Sequence, residues 1–467
     1  MEVKRILSFL LLITLCNCFE RNKNTLRIFL IEINPRLKTI NNNPLVSEYF
    51  SQNKEMALNE IIEDIQFASH GRVTVDIVEQ ITLDEFPKYT KQIQLLNGNF
   101  DYRLDEETYI SISKSDYNQD KGYWFKLYES SLYSEIGDFN FDYEYFIDKF
   151  SLVTKKKQDL FDHVWILGID PLSTFETTMI GSNEFFINGD PIHKDCKNFM
   201  IAAFPYSRRD SNLHCLSHSF ENILNFVHKG TFFIINEEKN DYNQEEYDKL
   251  TYWEKFTLID KVSKSQNAGV GNVHFPFNGE YDYDYSNTKM VYSNWESWLK
   301  YPNLNDNKTL WNNDAWLTLP GNIEIRNNPY EEQDPDRLYQ RFWLYLMPHI
   351  DGYTEDGFSN NWWDYYTNLD YVTKLGATNK KINGYLGREI ELNYNVYYKS
   401  GDIENVKYAI EDKNVQIDGN CVNFINGKLV GIRPRSCEVS IYRDGKKVTF
   451  VVNILQTDNI YMKKFLR

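Results

Sequence analysis

Two histidines four residues apart, His214 and His218, are the residues of this chain best suited to metal chemistry. In a helix this spacing puts both imidazoles on one face, where they can bind one zinc ion at about 2.0–2.1 Å. The helix of a zinc peptidase also has a glutamate directly after the first histidine, which takes a proton from water. Here that position is occupied by Cys215. The pattern predicts a metallopeptidase-like site without its usual general base.

The residues around the two histidines predict a helix from about 212 to 227 with two distinct faces. At 100° per residue, the large apolar side chains form a stripe about 100° wide that can pack on a core. A polar stripe about 80° wide lies beside it and contains His214, His218, Glu221, Asn225 and His228. The histidines are therefore expected to face a cleft next to the packed side of the helix.

A zinc site needs at least one further protein ligand. His274 is the best candidate, because it lies in a loop after a glycine-rich turn, and Glu176 and His349 are weaker candidates. Glu221 is seven residues from His214 on the same helix, about 10 Å away by helical rise, so we expect it to orient a histidine. Glu176 and Glu221 are also the carboxylates that can serve as catalytic acid or base in place of the missing glutamate.

Pairs of histidines on a polar helix face are also common in proteins that bind no metal, because the motif is short. The residues alone leave three outcomes open. The site binds metal without hydrolysing anything, or another acid such as Glu176 or Glu221 acts as the base, or a zinc-peptidase framework persists with its site lost.

Strand and helix patterns alternate in the N-terminal part of the chain and predict a sheet with packed helices. A strand at 25–35, an amphipathic helix at 52–69 and a strand at 72–82 form a β-α-β unit. Two strands of the fully buried type follow at 161–169 and 199–205, the second directly before the histidine helix. This order places the histidine helix directly after a buried strand.

The C-terminal part differs, because residues 384–456 alternate between apolar and polar side chains and contain several Gly-based turn signals. That pattern predicts a small all-β sandwich. The fold class is therefore α+β followed by an all-β module. We expect the α+β domain to cover 19–380 and the sandwich to cover 381–460.

The first residues indicate export. Basic residues precede an apolar run from Ile6 to Leu15, which predicts a signal peptide at 1–18, with a lipid anchor at Cys18 as the second alternative. No later segment is apolar enough over sufficient length to cross a membrane. The net charge of −16 argues against nucleic acids and anionic membranes as partners. An extracellular protein or glycan is the expected partner.

Four cysteines follow the predicted signal peptide, and an even number in a secreted chain favours disulfides. Pairing between sequence neighbours predicts the bonds Cys196–Cys215 and Cys421–Cys437. Asn307-Lys308-Thr309 is a glycosylation sequon if the source is eukaryotic, so the chain is also a candidate glycoprotein.

Four ordered segments resemble a poorly characterised family of secreted microbial proteins. That family shows a "VW…G…ES.M.G" segment, an "HSFGHRAES" helix, a "GNVHFPPNS…DYDW" loop and a "PH…NNWW" segment. The matching segments here are FDHVWILGIDPLSTFETTMIGSNEFF at 161–186, LHCLSHSFEN at 213–222, AGVGNVHFPFNGEYDYD at 268–284 and PHIDGYTEDGFSNNWWDYY at 348–366. The family in turn is similar to zinc proteases in its strand–helix order and its HxxxH motif, which implies a zincin-like framework.

The resemblance also bears on individual residues. It implies functional roles for the residues at the family's motif positions, and it favours His274 as the third ligand; those residues are His214, His218, Glu221, His274, His349 and, at the "ES" position, Glu176. The chain departs from the family at Ser217, where Gly is usual, and at Ser219-Phe220, where Arg-Ala is usual. These departures bear on how tightly the site is built.

A second resemblance concerns the C-terminal module. The segment GKLVGIRPRSCEVSIYRDGKKVTFVVNI, within 384–456, is similar to the end of bacterial Ig-like domains of the type-2 group. Such domains serve as spacers or adhesion modules, which implies no chemistry for this part of the chain.

Together these features predict a secreted zinc-dependent hydrolase, peptidase-like, that acts on an extracellular polymer through His214, His218 and His274. The alternative is a non-catalytic binding or adhesion protein on a degenerate metallopeptidase framework. A purely structural surface protein is a third interpretation, in which the histidines are incidental.

Overall fold

The computed structural model describes most of the chain between residues 25 and 455. The described ranges are 25–117, 141–168, 174–206, 209–228, 242–263, 268–305, 307–327, 335–353, 358–369, 379–385, 387, 389–390, 393–397, 403–407, 415–425, 428–443 and 446–455. The predicted signal peptide at 1–18 lies outside them. Within them the chain is a mixed α/β structure with one large sheet and several small β-hairpins.

The strands of the first 370 residues are numbered in chain order. They are β1 Thr25–Ile33, β2 Thr74–Leu83, β3 Lys88–Gln94, β4 Phe100–Arg103, β5 His163–Gly168, β6 Thr177–Gly181, β7 Ile192–His193, β8 Phe199–Pro205, β9 Val291–Ser293, β10 Thr309–Trp311, β11 His349–Tyr353 and β12 Ser359–Asn361.

The helices are numbered in the same way, and a 3₁₀ helix covers Asn313–Thr318. The α-helices are α1 Val46–Tyr49, α2 Lys54–Ala68, α3 Glu106–Tyr117, α4 Tyr143–Lys149, α5 Leu152–Lys157, α6 Arg209–His228, α7 Gln244–Asp248, α8 Tyr252–Thr257, α9 Asp260–Ser263, α10 Trp295–Trp298, α11 Asn322–Asn327, α12 Pro335–Tyr345 and α13 Trp363–Thr367.

The central sheet has six strands in the order β2-β1-β5-β8-β6-β7. Strands β2, β1, β5 and β8 run parallel, whereas β6 pairs antiparallel with β8 and carries β7 on its outer side. All six residues of β5 are buried, as expected for a strand covered on both faces. The predicted α+β arrangement of a sheet with packed helices is confirmed at this level.

Helices α2, α6 and α12 form a layer against the sheet, since α2 contacts β2 and β5 while α6 contacts β8 and β6. Helix α12 packs on both other helices. Its attachment to α2 includes buried charges, because Arg337 and Arg341 both form ion pairs with Asp64. Asp64 has only 2% of its surface exposed, so its charge is stabilised by the two guanidinium groups rather than by water.

Replacing Asp64 with Asn leaves two buried guanidinium groups without their shared carboxylate. We expect the free energy of unfolding to fall by about 3 kcal/mol, within the range for breaking a buried ion pair. Urea denaturation followed by circular dichroism measures the change. The control is Asp76→Asn on the exposed side of β2, which should stay within about 0.5 kcal/mol of the unmodified chain. An equally small effect of Asp64→Asn would contradict the assigned contribution of these buried ion pairs to stability.

His163 at the start of β5 makes stability depend on pH. It is 1% exposed, and burial lowers its pKa from 6.5 to about 3, with Asp162 opposing that change. The unfolded chain therefore binds a proton at a higher pH than the folded chain, so this contribution is complete above pH 6.5 and is lost as the pH falls toward 3.

For this one group the loss between pH 7 and pH 4 amounts to about 3 kcal/mol. We expect His163→Leu to reduce the difference in urea midpoint between pH 7 and pH 4. The exposed His193, replaced with Leu, serves as the control and should leave that difference unchanged. Equal pH responses of the two variants would exclude the role of His163.

The described residues of the C-terminal part are all strands and turns. Four strands form a sheet in the order β13-β20-β19-β16, and β14-β15 and β17-β18 form two-stranded ladders. The bounds are β13 Asn379–Tyr385, β14 Asn393–Tyr397, β15 Ile403–Lys407, β16 Val415–Asp418, β17 Val422–Ile425, β18 Lys428–Gly431, β19 Ser436–Arg443 and β20 Lys446–Leu455.

The cysteines agree with half of the predicted pairing. Cys421 and Cys437 form a disulfide, as predicted. The predicted bond between Cys196 and Cys215 is wrong, because these two buried residues are not joined to each other. The Cys215 thiol instead lies close enough to the carboxyl group of Glu176 to lower the pKa of that group. The histidine helix is thus held by packing and hydrogen bonds rather than by a covalent link.

Candidate metal site

Helix α6 separates its packing face from its polar face as the sequence predicts. The apolar side chains of the first stripe are all 2% exposed or less: Leu213, Leu216, Phe220, Ile223, Leu224 and Val227. His214 and Glu221 are also buried, at 6% and 3% exposure, and His218 is partly buried. The polar stripe therefore faces an enclosed part of the protein rather than open solvent.

Three imidazoles meet beside this helix. One ring nitrogen from each of His214, His218 and His274 lies within 4.8 Å of the other two. The closest pair is Nε2 of His218 and Nε2 of His274, at 2.7 Å. The ring of His218 is nearly perpendicular to that of His274, with centroids 4.5 Å apart, whereas the rings of His214 and His274 are inclined by only 19°. The predicted third ligand, His274, thus joins the two helix histidines.

These distances suit a single small metal ion. Nitrogens bound tetrahedrally to zinc at 2.0–2.1 Å are separated from one another by about 3.3 Å. The separations of the cluster, from 2.7 Å up to 4.8 Å, bracket that value. The three histidine side chains can therefore bind one metal ion after movements of less than about 2 Å. The donors do not by themselves identify the metal, although three imidazoles suit zinc, copper, iron and nickel.

His214 is oriented by helix α12. Its Nδ1 lies 3.1 Å from Oδ1 of Asp336, which leaves Nε2 as the nitrogen for a metal. Gln340, one turn further along α12, donates from Nε2 to the same carboxylate oxygen at 2.9 Å. Burial lowers the pKa of His214, but the nearby carboxylates, Asp336 foremost, outweigh burial and raise this pKa to about 9.

His274 has the same arrangement on the opposite side of the cluster. Its Nδ1 lies 3.1 Å from Oδ1 of Asp282, and its Nε2 faces His218. A carboxylate on the outer nitrogen fixes the orientation of the ring, which is the usual environment of a metal-binding histidine. His218 differs: its pKa is held well below 6.5 by burial and by the two neighbouring imidazoles. It therefore offers a neutral ring.

The loop that carries His274, here called the His274 loop (residues 268–285), is fixed to α6 and α12. The backbone N–H of Val273 donates to Oε1 of Glu221 at 3.0 Å, and the carbonyl of Val273 accepts from Gln340 at 2.9 Å. Gly271 allows the turn, with φ at 101°, and a Cβ there would lie 2.4 Å from the carbonyl oxygen of Phe275.

Glu221 thus positions the His274 loop and is not one of the clustered ligands, as the helical rise predicts. Its pKa is raised to about 7, mainly by burial, against the opposing effects of the Val273 N–H and of the two histidines His274 and His214. A carboxyl group with this pKa exchanges protons near neutral pH, although its hydrogen bond to the loop backbone gives it a structural role here.

Glu176 lies directly before β6 and brings a second carboxyl group to the cluster. Burial raises its pKa, while the nearby His214 and His274 and the thiol of Cys215 act in the opposite direction. The side chain is fixed by Asn188, whose Nδ2 donates to Oε2 at 3.1 Å. Glu176 therefore places a carboxyl group next to Cys215, the residue that stands where a zinc peptidase has its glutamate.

His349 does not belong to the cluster. Its ring stacks on that of His70 at a centroid distance of 3.5 Å, and its Nδ1 bonds to the carbonyl of Met347 at 3.0 Å. Burial lowers the pKa of both imidazoles, that of His70 to about 4. This stack joins the end of α2 to the start of β11, so His349 is placed to stabilise the fold rather than to bind the metal.

No family model, curated protein or solved structure matches the chain. Within the part of the chain that the structure describes, no helix has the length and apolar character needed to cross a membrane.

The cluster predicts stoichiometric metal binding. We expect about one zinc per chain after incubation with zinc and gel filtration, and loss of that zinc from the double variant His214→Ala/His218→Ala. Loss of two ligands should weaken binding by more than the roughly 10- to 100-fold that loss of a ligand's hydrogen-bond partner costs. Mass spectrometry of the metal content checks this. The control His193→Ala removes an exposed histidine outside the cluster and should retain the zinc.

Proposed function

We propose that this chain is a secreted metal-dependent hydrolase of the peptidase type, which uses zinc and acts on extracellular protein. The observation that carries the proposal is the position of Glu176. A carboxyl group with a raised pKa interacts with two of the three clustered histidines and replaces, from another element, the glutamate that α6 lacks.

Each residue of the site has a proposed role in the reaction. A zinc ion held by the three histidines would supply Lewis acidity to a carbonyl group and acidify water. Glu176 is suited to accept a proton from water and to pass it to a leaving amine, because burial brings its pKa closer to neutral. Asn188 keeps the carboxylate in place during both transfers. His214 and His274 are held for binding by Asp336 and Asp282.

The surroundings of Cys215 also support a carboxylate that arrives from β6. In a helix with the HExxH motif, the glutamate follows the first histidine and reaches the metal from the helix itself. Here the thiol in that position is close enough to Glu176 to lower the pKa of its carboxyl group. The acid that α6 lacks after its first histidine is thus proposed to come from the residue directly before β6.

One coarser feature agrees with export. The disulfide between Cys421 and Cys437 is of the kind that persists in oxidising compartments. We further propose that the sheet and helices before residue 370 are a zincin-like framework and that the C-terminal strands are an Ig-like module. The antiparallel β6, next to the histidine helix, is in keeping with that framework.

Glu176→Gln tests the proposal, because Gln keeps the shape of the side chain but cannot accept the proton. We expect the zinc-loaded variant to bind zinc as the unmodified chain does and to cleave a peptide library about 100- to 10,000-fold more slowly. Cleavage is followed by mass spectrometry of the products. The control is Glu55→Gln, an exposed residue in the first turn of α2, which should cleave at the unmodified rate.

Unchanged cleavage by Glu176→Gln would exclude this residue as the base and redirect the search to Glu221. If the zinc-loaded chain cleaves no peptide, the proposed peptidase activity is wrong, and a glycan library tests hydrolysis of the other expected polymer. A chain that binds zinc and cleaves neither class would be the non-catalytic binding protein on a metallopeptidase framework.

A further inference from the structure

We propose that Tyr283 is a fourth, oxygen ligand that closes the three-histidine site and must be displaced when a substrate binds. The inference rests on the proposed metal site and adds a means of regulating it. Tyr283 belongs to the His274 loop, nine residues after the histidine ligand.

The phenol group lies against the cluster on the side of His274. The hydroxyl oxygen of Tyr283 is 3.2 Å from Nε2 of His274, the same nitrogen that faces His218. Donor atoms around a tetrahedral zinc ion are about 3.3 Å apart, so this oxygen and this nitrogen are spaced as two ligands of one ion. The aromatic ring also faces His214, with centroids 5.5 Å apart and planes inclined by 25°.

The backbone of Tyr283 is unusual in a way that bears on this position. Its φ is 62°, in the left-handed region that a bulky aromatic residue rarely adopts. The N–H of Tyr283 donates to the carbonyl of His274 at 2.9 Å, which closes the loop back on the ligand. Conformations of this kind persist where surrounding contacts impose them, and they are concentrated at functional sites.

The residues after Tyr283 supply those contacts. Asp284 is buried and accepts from the backbone N–H of Glu280 at 2.9 Å, and the hydroxyl of Tyr285 donates to the carbonyl of Val273 at 2.8 Å. With these two residues fixed inward, the left-handed residue before them directs its hydroxyl group toward His274. The loop geometry is thus used to bring one phenol to the histidines.

The side chain of Tyr283 is more exposed to solvent than the histidines of the cluster. Tyr283 is 50% exposed, whereas Tyr285, two residues later, is 3% exposed. His214 and His218 approach from the buried helix, so Tyr283 is the donor on the solvent side. A structural zinc site has four protein ligands, whereas a catalytic one keeps a position for substrate. A displaceable Tyr283 gives the site a closed state without substrate and an open state with it.

The test uses copper(II) alone as the probe, because a phenol oxygen bound to copper(II) gives a charge-transfer band in the visible spectrum that imidazole ligands do not give. We expect the full chain with one equivalent of copper(II) to show this band. Tyr283→Phe should bind one equivalent and lack the band. The matched control is Tyr281→Phe, which removes an exposed phenol of the same loop and should keep the band.

A second measurement needs no variant and therefore does not depend on the folding of Tyr283→Phe. Acetohydroxamate, a bidentate oxygen ligand, should abolish the band of the unmodified copper-loaded chain while the copper stays bound, because it takes the position of the phenol. Copper binding without the band in the unmodified chain would overturn the role of Tyr283 and leave the histidine site intact. Absence of copper binding would overturn the metal site itself and the inference with it.

Discussion

The buried hydrogen bond between the backbone N–H of Val273 and Glu221 is the interaction on which the candidate site depends. It joins the His274 loop to the same helix that carries the other two histidines, so the third imidazole is placed relative to the first two. A metal site of this kind tolerates little error, because ligand distances must be correct within about 0.2 Å. A buried carboxylate that accepts a hydrogen bond from a backbone amide holds the loop against the helix. Both groups have less conformational freedom than the partners of a surface contact.

Helix α12 connects the hydrogen-bonded His274 loop to the core. Residues one turn apart share a helix face, and α12 uses two such faces for different purposes. Asp336 and Gln340 face the cluster, where they orient His214 and hold the carbonyl of Val273. Arg337 and Arg341 face α2 and share the buried carboxylate of Asp64. The ion pairs therefore fix the helix on one side, and this fixes the polar residues that orient the metal ligand on the other.

The sequence predicts the helices and strands that follow from the periodicity of apolar residues. It does not predict contacts between residues that are distant in the sequence. The helix predicted at 212 to 227 is α6 at Arg209–His228, and its two stripes are confirmed. The strand predicted at 199–205 has these bounds. His274 follows from the loop pattern and the family resemblance. The predicted Cys196–Cys215 bond is wrong, because proximity in the sequence does not by itself bring two cysteines together in the fold. Asp336 and Gln340 are more than 120 residues from His214, and only their i, i+4 spacing offered a signal.

Glu176 and Cys215 show why a motif can fail while its chemistry remains possible. Proton transfer requires a carboxylate of suitable pKa at a given point, and it does not require that this carboxylate follow the histidine in sequence. The reverse also holds, since the His214–Cys215 dipeptide alone would classify the helix as inactive. Glu176 can supply the acid because β6 runs antiparallel to β8. This direction brings the first residues of β6 to the end of the sheet where α6 begins. The reversed strand thus brings a carboxylate to a cluster whose helix has a cysteine directly after its first histidine.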